Sequence, residues 1–260
     1  MTTRILIFGR KHVTVRVLEW LLTRDDVEIC GVVTDSHFVN SPTLQFANAH
    51  KIPVFDYSTV IANISSGALQ VDLALSVLFW RKFTSELIDN ISRGIINFHP
   101  APLPDYKGTA GYNLAILEGR HDWAVSAHYV NETIDTGPII DVSYFDIDYE
   151  NETAFTLEKK SIKHLYAQLV SVVSKAVGMQ EKLPTTPNGK GRYGSRYEIE
   201  QMKELKEGDD IERKIRAFWF PPYHGAYLLV NGVKCTQVSQ KILVSLADPN
   251  VTNLFSTEQD

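Results

Sequence analysis

The sequence has few cysteines, no strong excess of either charge and no long apolar run. Its two cysteines, Cys30 and Cys235, stand far apart in apolar surroundings. We expect both to be reduced, packed thiols of a cytoplasmic protein. No group of cysteines and histidines has the spacing of metal ligands, so we expect no metal site. The net charge of −5 provides no general attraction for nucleic acid, although local basic groups could still hold a phosphate.

Signals for membrane insertion and secretion are also missing. No apolar run approaches the roughly 20 residues that a membrane-spanning helix needs. The N-terminus enters a strand-like run directly, without the pattern of a signal peptide. The 260 residues, 44% of them hydrophobic, suffice for one or two domains with a core. We therefore expect a protein that neither enters a membrane nor binds nucleic acid.

What the sequence does contain, at its start, is an alternation of apolar runs with helical periodicity. Arg4 to Phe8 and Val27 to Thr34 have the length and composition of buried strands. Between them, apolar residues recur at helical spacing, at Val13, Val17, Leu18 and Leu21. A strand, a helix and a strand in this order predict an α/β fold, with a Rossmann-like, mainly parallel sheet flanked by helices.

The turn after the first strand carries one glycine, Gly9, where a dinucleotide-binding fingerprint needs three at fixed spacing. A nicotinamide-binding function is therefore excluded. Arg10 and Lys11 follow in the same turn, where cations could hold a phosphate. A solvated basic loop is an equally good interpretation of these two residues.

The C-terminal part of the chain predicts a smaller unit. Residues 184–197 are rich in Pro, Gly and basic residues, which is typical of a linker. A charged helical stretch follows from Glu198 to Arg216. Asn231-Gly232 separates two apolar-rich runs, which is a strong signal of a β-hairpin. We therefore predict a main domain over residues 1–183, a linker over 184–197 and a small domain with a helix and a hairpin over 198–260.

A polar pair stands at the end of a predicted central strand. The apolar run that begins at Ile95 ends in Asn97 and His99, and prolines follow at positions 100, 102 and 104. Residues i and i+2 of a strand share a face, so Asn97 and His99 leave it side by side. The prolines stiffen the loop that follows. Such a pair is typical of the sites of open α/β sheets, but a strand that merely ends in two polar residues is as good an interpretation.

Asp135 favours the interpretation of Asn97 and His99 as part of a site. It lies in a tight turn between two alternating stretches, Val125 to Asn131 and Ile139 to Phe145. An aspartate in a turn usually bonds its own backbone. Yet the segments HPAPLPDYKG, which begins at His99, and IDTGPII, which contains Asp135, resemble those of the 10-formyltetrahydrofolate-dependent formyltransferases, as does Asn97 before them. The likeness covers roughly residues 1 to 200 well, and it is greatest to the bacterial N-formyltransferases that act on nucleotide-linked amino sugars.

The resemblance implies a reaction in which an amine attacks the formyl group of N10-formyltetrahydrofolate and a tetrahedral oxyanion forms. It implies that Asn97 donates an N–H to the oxyanion and that His99 donates to it and manages the proton of the amine. Asp135 would orient His99 or a bound water and favour the imidazolium. No serine or cysteine belongs to this constellation, so a covalent intermediate is not expected.

The resemblance also implies binding residues. The folate co-substrate would be held by Leu78, Trp80 and Asp141, although core packing is the commoner role of a tryptophan. The cations expected to face the substrate are Arg10, Lys11 and Lys82. An aromatic segment from Phe218 to Tyr227 could stack on the nucleobase, best through Trp219 and Tyr223. The alternative is that this segment fastens the hairpin to the main domain, which is the interpretation we favour for Phe218.

Several acceptors remain open. The expected acceptor is a nucleotide-linked amino sugar, best dTDP-4-amino-4,6-dideoxyglucose, for the sugars of lipopolysaccharide O-antigen. A methionyl-tRNA formyltransferase should carry a longer, basic C-terminal domain, and a glycinamide ribonucleotide formyltransferase should end near residue 200. A non-catalytic folate or nucleotide-sugar binding protein is the alternative outside this chemistry. Because an isolated hairpin is marginally stable, it needs a partner, either its own main domain or a second copy of the chain. The resemblance favours the second copy, so we expect a homodimer.

Overall fold

A six-stranded sheet forms the centre of the molecule, whose computed structural model describes residues 2–35, 37–38 and 40–246. The strands are Thr3–Gly9 (β1), Val27–Val33 (β2), Leu73–Val77 (β3), Ile95–His99 (β4), Tyr106–Gly108 (β5), Asp122–Tyr129 (β6), Ile139–Asp146 (β7), Arg192–Gly194 (β8), Tyr227–Val230 (β9) and Val233–Thr236 (β10). The central sheet has the order β2-β1-β3-β4-β6-β7. Its first four strands are parallel, and β6 and β7 are antiparallel additions. The predicted α/β class with a mainly parallel sheet is confirmed.

Helices cover both faces of this sheet. They are Lys11–Leu22 (α1), Pro42–Ala49 (α2), Tyr57–Ser65 (α3), Ser85–Asp89 (α4), Gly111–Leu117 (α5), Ala154–Val177 (α6), Arg196–Gln201 (α7), Ile211–Phe218 (α8) and Gln240–Leu246 (α9). Alternate residues of β1 serve the two faces, as the period of a strand requires. Ile5 and Ile7 pack in the cluster with α1 and α6, whereas Leu6 and Phe8 pack in the cluster with α3 and α4.

The long helix α6 is the main cover of the sheet. Thr153 caps its start, because the Thr153 side chain accepts from the backbone of Thr156 while the Thr156 side chain accepts from the backbone of Thr153. The apolar stripe of α6 lies buried against the sheet, at Leu165, Leu169, Val172, Val173 and Ala176. None of the helices in the described ranges is long and apolar enough to cross a membrane.

The C-terminal part differs from the expectation in two places. Residues 184–197 are packed on the main domain: β8 pairs with β5, and Thr186 pairs with Ile139. The charged stretch from Glu198 to Arg216 is two helices, α7 and α8, because Gly208 has a left-handed φ of 88° and Asp210 caps a new helix. The predicted hairpin is confirmed as β9 and β10. Residues 247–260 of the predicted small domain lie outside the described residues.

Candidate active site

The loops at the carboxyl edge of the parallel strands surround a cavity of about 360 Å³. This volume lies within the range of roughly 300–1,000 Å³ found for small-molecule sites. Its wall is built by the loops after β1, β3 and β4, which meet because parallel strands end at one edge. The β6–β7 connection joins them by folding back from the opposite edge, since β6 is antiparallel to β4, and it brings Asp135 to Gly108 and His99. Most of the candidate residues line it together: Arg10, Lys11, Leu78, Trp80, Lys82, Asn97, His99 and Asp135.

The amide of Asn97 is held in one orientation. Its Oδ1 accepts from Ser76 Oγ at 2.7 Å, and its Nδ2 lies 3.0 Å from Nε2 of His128. His128 Nδ1 lies 2.8 Å from the carbonyl of Tyr129 and must donate to it, so Nε2 is the acceptor for Asn97. The remaining Nδ2 hydrogen faces Asp135 Oδ1 at 3.5 Å, too far for a strong bond. Asn97 therefore retains an N–H that can be offered to a substrate oxygen.

His99 is buried, and one of its nitrogens is already engaged. Nε2 lies 2.7 Å from the carbonyl of Tyr106, which can only accept, so Nε2 carries the hydrogen. Nδ1 lies 3.4 Å from Asp135 Oδ2. Burial lowers the pKa of His99 below its ordinary 6.5, with Asp135 acting in the opposite direction. The imidazole is therefore neutral near pH 7, and Nδ1 is the atom that can take a proton.

Asp135 is fixed in the position where that proton would be stabilised. Its backbone has a left-handed φ of 53°, and its Oδ2 accepts from the N–H of Gly108 at 2.9 Å. Its carbonyl accepts from Asn188 Nδ2 at 3.0 Å. Burial alone would raise the pKa of Asp135, but the imidazoles of His99 and His128 and the Gly108 N–H outweigh burial and lower it to about 2. The carboxylate is therefore ionised at neutral pH.

A second part of the wall offers an aromatic ring and strained backbone. The indole of Trp80 is 40% exposed, so core packing does not account for it. Arg10 lies over this ring at 5.4 Å and donates to the carbonyl of Leu78 at 3.2 Å. Leu78 itself has a φ of 51°. Three of the five non-glycine residues with positive φ in the described chain, Lys11, Leu78 and Asp135, line this cavity, and such strain often collects at functional sites.

The cations at the cavity have few carboxylate neighbours. Lys11 Nζ lies 3.1 Å from Glu158 Oε1, an exposed pair that contributes little to stability. Arg81 and Lys82 line the same wall and are exposed. This mouth of the cavity is therefore basic. In the described ranges, no group of three or more His, Cys, Asp or Glu side chains is arranged to hold a metal ion.

Three candidate residues are not brought to the cavity. Asp141 lies on β7, where its carboxylate accepts from Gln168 of α6 at 2.7 Å and from Ser143 at 2.6 Å. Trp219 ends α8 and packs against the second apolar cluster. Tyr223 is 62% exposed beside Phe220. A part in binding remains a prediction for these three. Phe218, in contrast, is fully buried, as favoured from the sequence.

His128 and Ser76 are the site residues that the sequence did not indicate. His128 lies opposite Asn97 in the antiparallel pair of β6 and β4, and Ser76 lies opposite Asn97 in the parallel pair of β3 and β4. Ser76 is the single polar residue of β3, whereas β6 contains Asp122 and Ser126 besides His128, so the available signal was weak. It becomes informative only when the strand register is known.

A fixed amide donor, a neutral imidazole and an ionised carboxylate beside an open cavity are groups suited to moving a proton and to stabilising an oxyanion, as an acyl transfer requires. The family model described as formyl transferase matches residues 3–173. The chain therefore belongs to the formyl transferase family.

Known relatives and solved structures agree with this assignment. A methionyl-tRNA formyltransferase from Bacillus velezensis is 27% identical, over 99% of this chain and 84% of that protein. A 4-N formyltransferase from Francisella tularensis has the same fold, with a TM-score of 0.76 at 18% identity over 91% of this chain and 97% of its own. The N-formyltransferase from Helicobacter canadensis, solved with folinic acid and dTDP-3-aminofucose, gives 0.72 at 21% identity over 90% and 86%.

Proposed function

We propose that the protein transfers the formyl group of N10-formyltetrahydrofolate to the amine of a nucleotide-linked amino sugar. The best candidate acceptor is dTDP-4-amino-4,6-dideoxyglucose, in the synthesis of lipopolysaccharide O-antigen sugars. One observation carries the proposal: Asn97, His99 and Asp135 meet on the wall of a cavity that also presents an exposed indole and basic side chains. An aromatic face suits a pterin, and cations suit the anionic groups of both substrates.

The chemistry follows from the hydrogen bonds of the three side chains. The folate supplies the formyl carbon, and the amine nitrogen of the acceptor forms the new bond to it. Asn97 Nδ2 can donate to the oxygen on which negative charge develops. His99 Nδ1 can take the proton that the amine loses and return it to the folate nitrogen as the old C–N bond breaks. Asp135 stabilises the imidazolium in the interval.

Binding of the two substrates is assigned to different parts of the wall. We assign the folate ring to the side of Leu78 and Trp80, where the indole is exposed and the carbonyl of Leu78, which accepts from Arg10, has a second lone pair for the ligand. Arg10, Lys11 and Lys82 are assigned to the diphosphate, since they line the same cavity. An anion on Lys11 would compete with Glu158 for the ammonium group. The proposal thus uses every candidate that lines the cavity.

A second acceptor, methionyl-tRNA, is favoured by one observation, the relatives that match almost the whole chain. Their identity to this chain, 27%, exceeds the 18% and 21% of the two N-formyltransferase structures, but charge argues the other way. The chain has a net charge of −5, and residues 198–260 hold ten acidic and seven basic side chains. A domain that binds tRNA neutralises phosphates with an excess of Lys and Arg. An amino sugar linked to a nucleotide is therefore the better acceptor.

The C-terminal hairpin supports a homodimer as the working form. Leu229 and Val233 of the hairpin are 51% and 62% exposed, and Val244 and Leu246 of α9 are 63% and 60% exposed. Apolar side chains gathered on one small unit would be covered if two copies paired about a two-fold axis. Both cysteines are free thiols, which fits the reducing cytoplasm as the place of the reaction.

The direct test is a panel of acceptors. The protein is incubated with N10-formyltetrahydrofolate and dTDP- or UDP-linked amino sugars, glycinamide ribonucleotide or methionyl-tRNA, and each product is weighed for the gain of a formyl group. We expect gain on a nucleotide-linked amino sugar, and a rate of gain at least about a hundredfold lower with Asn97→Ala. Formylation of methionyl-tRNA alone, or of no amine at all, would refute the proposal.

A further inference from the structure

One large aromatic side chain of the cavity wall has no role in the function proposed above. Tyr193 lies on β8 and lines the cavity, and its side chain is 51% exposed. It stands beyond residues 3–173, the part that matches the formyl transferase family. Enzymes that transfer the same group differ in the acceptor that they use. A residue outside the shared part, such as Tyr193, is therefore suited to contact the acceptor.

The position of Tyr193 is set by a close backbone approach. β8 pairs with β5, so that Gly194 lies opposite Gly108. A Cβ on Gly108 would meet the Gly194 carbonyl at 2.5 Å and the ring of Tyr193 at 2.9 Å, so the ring packs directly on this glycine. The N–H of Gly108 is the donor to Asp135 Oδ2. The ring of Tyr193 therefore packs on Gly108, the residue whose N–H bonds the carboxylate of Asp135.

The same segment is also anchored on the other side of Asp135. Asn188 Nδ2 donates to the carbonyls of Asp135 and Gly137, at 3.0 and 2.8 Å. Lys107 Nζ donates to the carbonyl of Gly189 at 2.9 Å. Asn188 thus fixes the segment to the loop of Asp135, and Lys107 fixes it to the chain that follows His99. The ring of Tyr193 is therefore presented on a rigid support.

Packing in an apolar core does not account for the aromatic ring of Tyr193. Tyr193 belongs to none of the three apolar clusters, and within the described chain it pairs with no other aromatic ring. By contrast, Tyr106 and Tyr112 beside the same site pack against Trp123. An apolar face that lines a cavity and is left exposed there is available to a ligand.

We propose that Tyr193 stacks on the hexose ring of the acceptor and selects which amino sugar is positioned for attack. The inference rests on the proposed function and names the part of the acceptor that is read. The reacting amine must lie beside His99 and Asp135, and the sugar ring that carries it must lie within a few ångströms of Tyr193. The nucleobase is separated from that ring by the diphosphate. A deoxyhexose has an apolar C–H face for the ring and hydroxyl groups for its phenolic oxygen.

The test compares three variants on the amino sugar that the wild-type protein formylates best. Tyr193→Ala should raise the KM for the nucleotide sugar about tenfold, the upper end of what an aromatic contact contributes, and leave the KM for N10-formyltetrahydrofolate unchanged. Tyr193→Phe keeps the ring and should stay within about twofold of wild type. The matched control is Tyr197→Ala, since Tyr197 is 76% exposed four residues further on and does not line the cavity.

The outcomes separate the two proposals. If the wild-type protein formylates no amino sugar, the proposed function fails and the role of Tyr193 fails with it. If the wild type is active and Tyr193→Ala leaves the sugar KM unchanged, or raises the folate KM equally, only the role of Tyr193 is overturned. An equal effect of Tyr197→Ala also overturns it. Selective loss should further change the ratio of kcat/KM between two amino sugars that differ around the ring, and thermal melting checks that each variant is folded.

Discussion

Replacing Asp135 by Asn would remove one negative charge and change little else. The backbone there has a φ of 53°, a conformation that Asn adopts more readily than most residues. The amide oxygen of Asn can still accept the Gly108 N–H, which now bonds Oδ2 at 2.9 Å. What disappears is the charge 3.4 Å from His99 Nδ1. The variant therefore separates the electrostatic role of Asp135 from its role in the turn.

The size of the effect follows from that distance. Two unit charges about 4 Å apart interact by about 4 kcal/mol at an effective dielectric constant of about 20. Part of this energy is retained in Asp135→Asn, because the dipole of the Asn side-chain amide still faces the imidazolium. A remaining loss of about 2.7 kcal/mol would lower kcat about a hundredfold. We expect at least this decrease, since the imidazolium forms only while the proton is in transit.

Stability should respond more weakly and with a defined dependence on pH. The folded-state pKa of Asp135 lies at about 2, below its ordinary 3.8. A carboxyl whose pKa is depressed on folding stabilises the protein above its unfolded pKa, and that contribution is lost as the pH falls through the folded value. The shift is equivalent to about 2 kcal/mol. The charge of His99, which helps to lower this pKa, is absent near pH 7, so the wild-type protein should melt only slightly above Asp135→Asn there. The difference should be larger below the lowered pKa of His99 and should close between about pH 4 and pH 2.

The assay is kcat against pH for both proteins, with thermal melting in parallel. His99 must be neutral to accept a proton, so wild-type kcat should fall as the pH drops below the lowered pKa of His99. Without the carboxylate the imidazolium is less stable, which moves this fall to still lower pH while the plateau decreases. A near-normal kcat with an unchanged pH profile would mean that Asp135 only shapes its turn, and the electrostatic reasoning would be refuted.

Three further predictions concern other parts of the site and the surface. Asn97→Ala or His99→Ala should lower kcat at least about a hundredfold while folate binding, measured by calorimetry, is kept; near-normal turnover would contradict the assignment. Arg10→Gln should raise the KM for the nucleotide sugar about tenfold and weaken its dependence on salt; an unchanged KM would remove Arg10 from phosphate binding. The wild type should scatter light as a dimer of twice 29.3 kDa, and Leu229→Lys should reduce it to a monomer; a wild-type monomer would exclude the dimer.

The central part of the site was predictable because it depends on short-range rules. The two-residue period of a strand places Asn97 and His99 on one face, and the strand end places them at the sheet edge. Asp135 could be joined to them through the resemblance of its segment to a known family. His128 could not, because its contact with Asn97 depends on the register between β4 and β6, which are joined by a connection of more than twenty residues. Nothing local in the sequence fixes that register.

The contacts of Asp141 could not be predicted from the sequence, for a different reason. As a carboxylate near the Asp135 turn, it was open to a part in binding. Its place on β7 brings it beside α6, where Gln168 donates to it at 2.7 Å. Gln168 is 96% buried, and its Nε2 also donates to the carbonyl of Val125 and to Ser143 Oγ, so the carboxylate belongs to a buried hydrogen-bond network. This contact is with a residue 27 positions away, so nothing local in the sequence indicates it, and a part of Asp141 in folate binding remains a prediction.

Composition does not distinguish a flexible linker from a closely packed segment, because glycine is common in both. The segment 184–197 has the Pro, Gly and basic content of a flexible linker, yet its glycines permit close packing. A Cβ on Gly191 would stand 1.6 Å from the carbonyl of Pro104, in the loop that follows His99. A side chain there would push the segment off the proline loop, and Tyr193 and Asn188 would leave the site with it. Only contacts in the folded chain distinguish this use of glycine from flexibility. The sequence therefore predicted a linker between domains for the segment that carries Tyr193 to the cavity.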